Sequence, residues 1–176
     1  MKDKKRKGIF NNYKGEPRKE AQKFCRENAI TDEQFHFLSI YKWNDVYEKI
    51  LINFADDSWR KYYGLHWLNT NGRFIKEKKY SFTDDKNWEW IFRLEEIIGK
   101  DEMIYVALED EKDKLWLAEG TTNVIARIIY EEFFADDYYI VDKKYQWMIT
   151  RNHHEYVMFI GDFPCDIPDY FEGKLN

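Results

Sequence analysis

The chain reads as α+β: a mostly antiparallel sheet, β-β-α-β-β-β in its C-terminal part, with N-terminal helices packed on one face. Three observations carry that expectation. Residues 101–162 hold five strand-like apolar runs interrupted by one helical run. The connections between those runs are short, which favours antiparallel pairing. The first third of the chain spaces its apolar residues at helical intervals, and Pro is confined to Pro17, Pro164 and Pro168.

Each element follows in chain order. Pro17 suits the first turn of a helix, and RKEAQKFCRENAI puts Ala21, Phe24 and Cys25 on one side of it. Thr31 and Gln34 have capping-box spacing and are expected to open TDEQFHFLSIYKWNDVYEKILINFADDSW as helix. Phe35, Leu38, Val46, Ile50 and Phe54 would face the core there, and Asn44-Asp45 is a candidate break. LHWLN and RFIKE flank Thr70-Asn71-Gly72, a strong hairpin signal. Trp88, Ile91, Glu95 and Ile98, and equally Trp90, Leu94 and Ile97, follow helical spacing. Asp84 and Asp85 favour the start of that helix and Gly99 its end. MIYVALED and KLWLAEG read as strands joined at Glu111-Lys112-Asp113. Thr121 or Thr122 caps NVIARIIYEEFF, whose Val124, Ile125, Ile128, Ile129 and Phe133 face a core. DYYIVD, YQWMIT and EYVMFIGD close the series as strands, and the tail after Pro164 reads as irregular.

A length of 176 residues suits one domain, with residues 1–16 expected as a flexible basic tail. Charge is unevenly placed. Residues 1–26 hold ten Lys and Arg against Asp3, Glu16 and Glu20, a net +7. The other 150 residues hold eighteen basic and thirty acidic groups, a net −12. An acidic body repels phosphate backbones, so nucleic acid is not the expected partner, although the basic start keeps a nucleic-acid accessory role as an alternative. No apolar run approaches a membrane span, and no apolar stretch follows the basic start, so the expected location is cytoplasmic. Cys25 and Cys165 lie far apart without C-x-x-C spacing, which excludes a zinc ribbon and a disulfide framework. The 7 Trp, 13 Tyr and 13 Phe serve either a core of large rings or an aromatic recognition surface.

Motifs that would carry catalysis are missing. There is no G-x-S-x-G elbow and no glycine-rich phosphate loop. His153 and His154 are adjacent, and neighbouring strand residues point to opposite faces, so they do not suit one metal. H-E-x-x-H is absent as well. TRNHHEYVMF reads instead as a hairpin with Asn152, His153 and His154 at its bend. Asp142-Lys143-Lys144 has the acid-x-Lys spacing of a hairpin nuclease, but so acidic and lysine-rich a chain supplies such triplets by chance. Six acidic doublets, such as Asp56-Asp57 and Glu131-Glu132, read as solvated surface. Neither a cofactor, a metal nor a catalytic set is therefore expected.

The run Tyr138-Tyr139-Ile140-Val141, Lys143-Lys144-Tyr145, Trp147 and Asn152-His153-His154 resembles a family of small uncharacterised bacterial proteins, over about residues 88–162. In size, acidity and element order the chain is also similar to bacterial immunity proteins that neutralise toxins. The family resemblance implies an architecture and a bacterial origin; the acidic body, the aromatic richness and the lack of a catalytic set point to a non-enzymatic protein-binding module of immunity or antitoxin type, whose expected partner is a basic protein such as a toxin. The candidate binding residues are Tyr139, Lys143, Lys144, Trp147, Asn152, His153 and His154. Trp147 would anchor, unless it is core on one face with Tyr145 and Ile149. The lysines would set charge complementarity, and Asn152 and the histidines would donate and accept hydrogen bonds. The alternative from another class is a hydrolase using His153 or His154 as general base.

Overall fold

A computed structural model describes residues 17–56, 65, 77–81, 87–110, 114–131, 137–152 and 156–164. Helix α1 (Pro17–Glu27) leads to a short strand β1 (Phe35–Phe37) and helix α2 (Ile40–Phe54). Strand β2 (Glu77–Ser81), a 3-10 helix (Asn87–Arg93) and α3 (Leu94–Ile98) follow. The C-terminal part runs β3 (Met103–Glu109), β4 (Leu115–Thr121), α4 (Thr122–Glu131), β5 (Tyr138–Asp142), β6 (Trp147–Arg151) and β7 (Tyr156–Gly161). All seven strands form one sheet in the order β1-β4-β3-β5-β6-β7-β2, and every paired neighbour is antiparallel. The α+β class and the β-β-α-β-β-β order are thus those expected from the sequence.

Both faces of the sheet are covered, which corrects the expectation that the helices share one face. Ile104, Val106, Tyr138, Ile140, Ile149 and Phe159 pack against α1, the 3-10 helix, α3 and α4. The alternating residues Tyr105, Ala107, Tyr139, Val141, Met148 and Met158 pack under α2. The cause is in the strands themselves. Ile104 to Leu108 and Tyr138 to Val141 are buried at every position, so each face needs its own layer. Two apolar layers follow, one on each side of a central sheet.

The segment after α1 also departs from expectation. Gln34 Oε1 accepts from Thr31 N–H at 3.0 Å, which is half of a capping box, yet no helix follows. The N–H groups of Gln34 and Phe35 both donate to the Thr31 carbonyl, closing a turn. The chain then pairs with β4 through Phe35–Phe37. Helix α2 starts later, at Ser39, whose hydroxyl accepts from Lys42 N–H at 3.4 Å. It runs unbroken through Asn44-Asp45 to Phe54. Thr122 opens α4, but its hydroxyl donates to the Glu102 carbonyl at 3.1 Å and ties the helix to β3 instead of capping it. The Asn71-Gly72 hairpin, Asp84, Asp85, Phe133 and the 1–16 tail lie outside the described residues. No helix among the described residues is long and apolar enough to cross a membrane.

Candidate functional site

The site is a carboxylate set into the sheet where an apolar residue belongs. Leu115, Leu117 and Glu119 alternate along β4 onto the α2 side. Glu119 is 8% exposed. It pairs in register with His36 on β1 and with Tyr105 on β3. Burial alone would push its pKa up, but the Lys143 and Lys42 ammonium groups bonded to it carry it below the usual carboxylate range.

Four elements deliver the groups around Glu119. Lys42, in the first turn of α2, bonds both carboxylate oxygens at 3.0 Å. Lys143, from the β5–β6 turn, bonds Oε2 and lies 4.0 Å from the centre of the Tyr105 ring. His36 brings Nε2 to 3.3 Å from Oε1 while its Nδ1 meets the Asp32 carbonyl at 2.8 Å. Tyr145 completes the border by stacking on Tyr105 at 6.0 Å. Burial first, and the Tyr105 hydroxyl next, raise the pKa of Tyr145, which keeps its hydroxyl protonated.

The β5–β6 turn that carries Lys143 is built by Asp142. Its carboxylate accepts from the N–H groups of Lys144 at 3.1 Å, Gln146 at 2.5 Å and Trp147 at 3.3 Å. Tyr145 takes a left-handed conformation, φ 59°, to let the chain return. Gly161, φ 95°, lies against the Gln146 carbonyl so closely that a Cβ would collide with it.

Beside this cluster α2 exposes two large apolar residues. Ile40 is 72% and Tyr41 87% exposed, directly before Lys42. Farther along, the helix buries Val46, Ile50, Leu51 and Phe54 and exposes Ile52, away from the cluster.

The sequence-derived candidates divide. Lys143 joins Glu119, and Lys144 is exposed in the same turn. Tyr139 is 0% exposed under α2, paired with Thr150. Trp147 is 4% exposed on the opposite face, stacked on Phe163 at 5.1 Å. Ile149 shares its face; Tyr145 does not, because the turn rotates it to the α2 side. Asn152 is buried at the far end of the sheet, one residue beyond the Tyr138–Arg151 pair and therefore level with Asp137. His153 and His154 lie outside the described residues, between the paired strands β6 and β7. Sequence reasoning missed His36, Lys42 and Glu119. Glu119 carried a readable signal, a charge interrupting the apolar alternation of LWLAEG. His36 and Lys42 carried none, since the β1–β4 register brings His36 there and the packing of α2 brings Lys42.

Chemically the cluster is poor acid–base equipment. A carboxylate held ionised by two ammonium groups resists taking up a proton. Burial, then Asp32, pushes the Cys25 thiol up as well, away from the reactive thiolate. What the cluster does is fix cations in place: Lys42 and Lys143 present charge at the surface without free rotation.

None of the curated proteins compared with the chain matches it. A model of a family of unknown function, DUF6756, matches residues 14–167, so the chain belongs to that family.

Proposed function

We propose that the chain is a non-enzymatic protein-binding module of immunity or antitoxin type, and that its contact surface is the first turn of α2 with the adjoining β5–β6 turn. The observation that carries this reading is the exposure of Ile40 and Tyr41 next to cations held by Glu119. Tyr is a preferred anchor at interfaces, and its ring gives large contact area at little entropic cost. Lysines already ordered by a buried carboxylate lose less freedom on binding than mobile ones do. Lys143 and Lys144 from the sequence-derived set lie at this surface and Tyr139 is buried beneath α2, while Trp147 is core on the opposite face and Asn152 is buried at the far end of the sheet. The net −12 over residues 27–176 favours a basic partner, such as a toxin, drawn in by long-range attraction, and at the contact itself acidic groups of that partner meet Lys42, Lys143 and Lys144.

The test is capture from a lysate of the native host at low and high salt, with the wild-type chain and Tyr41→Ala in parallel, read by mass spectrometry. One stoichiometric basic protein, weakened by salt and lost with Tyr41→Ala, is the expected result. Repeated capture of no protein sinks the binding reading. Capture indifferent to Tyr41→Ala moves the surface elsewhere.

A further inference from the structure

Among the described residues strand β1 ends the sheet. It is short, three residues, but Phe35-His36-Phe37 has no Pro or Lys, the other common means of blunting an edge strand. Thr121 N–H bonds the Gln34 carbonyl at 2.9 Å and Leu38 N–H bonds the Leu117 carbonyl at 2.9 Å. Antiparallel alternation therefore turns the main-chain groups of Phe35 and Phe37 away from β4. The Phe35 N–H is used by the Thr31 carbonyl at 3.0 Å. That leaves the Phe37 N–H and both carbonyls facing outward. A groove of about 730 Å³ runs along this edge, lined by α1 and by all three residues of β1. Phe35 and Phe37 approach it from the α1 side and His36 from the other, so the groove opens on the edge itself.

The charges along the groove are opposite at its two ends. The Arg18 guanidinium sits 5.7 Å over the Phe37 ring. Asp32 and Glu33, both exposed, sit before Phe35 at the other end, with Arg26 beside them. Turned half a revolution about His36, this pattern is complementary to itself: the positive end meets the negative end twice. That self-complementarity selects one occupant over any other peptide.

We propose that a second copy of this chain occupies the groove, pairing β1 with β1 antiparallel about a two-fold axis at His36. Phe37 N–H then donates to the other copy's Phe35 carbonyl, and the same bond forms in reverse. Arg18 faces the other copy's Asp32 and Glu33. With two main-chain bonds and two exposed charge pairs, the dimer is weak and salt-sensitive. The inference stands apart from the partner surface on α2, and its test needs no partner.

The test is sedimentation equilibrium of the full chain under reductant, which excludes a Cys25 crosslink, from about 5 to about 500 µM, the range in which weak contacts saturate. A reversible monomer–dimer equilibrium is expected. Arg18→Glu, and separately the pair Asp32→Lys with Glu33→Lys, each weakens it at least about tenfold, equivalent to about 1.4 kcal/mol. Mixing the two variants in equal amounts restores dimers, because each reversed charge then meets its opposite. Hydrogen exchange at the Phe37 amide slows as concentration rises. A wild-type chain that stays monomeric overturns the proposal. So does a dimer indifferent to both reversals, or a mixture that does not recover.

Discussion

The two faces of the sheet are made by the same strands and covered very differently. On one side α1, the 3-10 helix, α3 and α4 lie on a layer that includes Trp90, Tyr138 and Phe159, with Trp90 stacked on Tyr138 at 6.4 Å. On the other side, among the described residues, one long helix, α2, with Leu65 beside it, lies over Tyr139, Val141 and Met148, and Glu119 takes the β4 border. The second face thus has a margin at β4 that the first does not show. A margin is where a charged residue can sit in a strand position if cations reach it, and here Lys42 and Lys143 do, with His36 Nε2 beside them. On the proposed function the difference separates stability from recognition: the sealed face holds the fold, and the open margin is the part offered to a partner.

Substitutions that set one face against the other would break this comparison if it is wrong. The largest effect is expected on the sealed face. Phe159 is 1% exposed and meets Trp90 and Phe163 edge-on, at 6.4 and 5.7 Å. Phe159→Ala should cost about 3–5 kcal/mol, read as a lower urea midpoint. The turn comes next. Asp142 is 9% exposed and its carboxylate holds three backbone N–H groups. Asp142→Ala should cost about 2–3 kcal/mol, since the donors belong to a charge-assisted set and Trp147 N–H is left buried. The same change should release Lys143, so partner binding falls with it.

Much of this was legible beforehand, and the reasons differ by element. β3 to β7 and α4 show in the sequence because their apolar runs are long and their connections short. The two-sided covering was legible too, in the unbroken MIYVAL and YYIV runs, but the N-terminal helices were placed on one face nonetheless. β1 was not legible. Its Thr31–Gln34 pair does make the local contact of a helix start, and only pairing with β4 turns Phe35–Phe37 into a strand. Local chemistry and tertiary pairing pointed different ways there, and pairing won. The candidate site divides along the same line. Lys143 and Lys144 are adjacent in sequence and were found. His36, Lys42 and Glu119 are far apart in sequence, with 77 positions separating Lys42 from Glu119 and His36 farther still, and the β1–β4 register together with the packing of α2 assembles them.

Glu119→Gln sharpens the comparison through pH. Glutamine keeps the shape and loses the charge that holds two lysines. The expected cost is about 1–2 kcal/mol, trimmed because the Lys42 side chain is 46% exposed and partly screened. Since the folded-state pKa of Glu119 is lowered, its contribution is full above the unfolded value, near 4.5, and is lost as pH falls through the folded one. Urea midpoints of wild type and Glu119→Gln should therefore differ at pH 7 and converge as pH is lowered below about 4.5. A difference that persists in acid would mean that the carboxylate stabilises by packing and not by charge.

The smallest effects discriminate most finely, because Lys143 and Lys144 are neighbours with the same charge. Lys143 reaches back to Glu119 and the Tyr105 ring, whereas Lys144 uses only its backbone N–H, on Asp142, among the contacts described. Lys143→Met should cost less than about 1 kcal/mol, because a half-exposed ion pair is worth little, but it should be measurable by denaturation. Lys144→Ala should leave the midpoint where it is. In partner binding the order is the same: Lys143, held in place, matters for the dissociation rate, and Lys144, free in solvent, mainly for the salt dependence of association. Equal effects of the two on dissociation would mean that the net charge of the turn, and not the order imposed by Glu119, is what a partner reads.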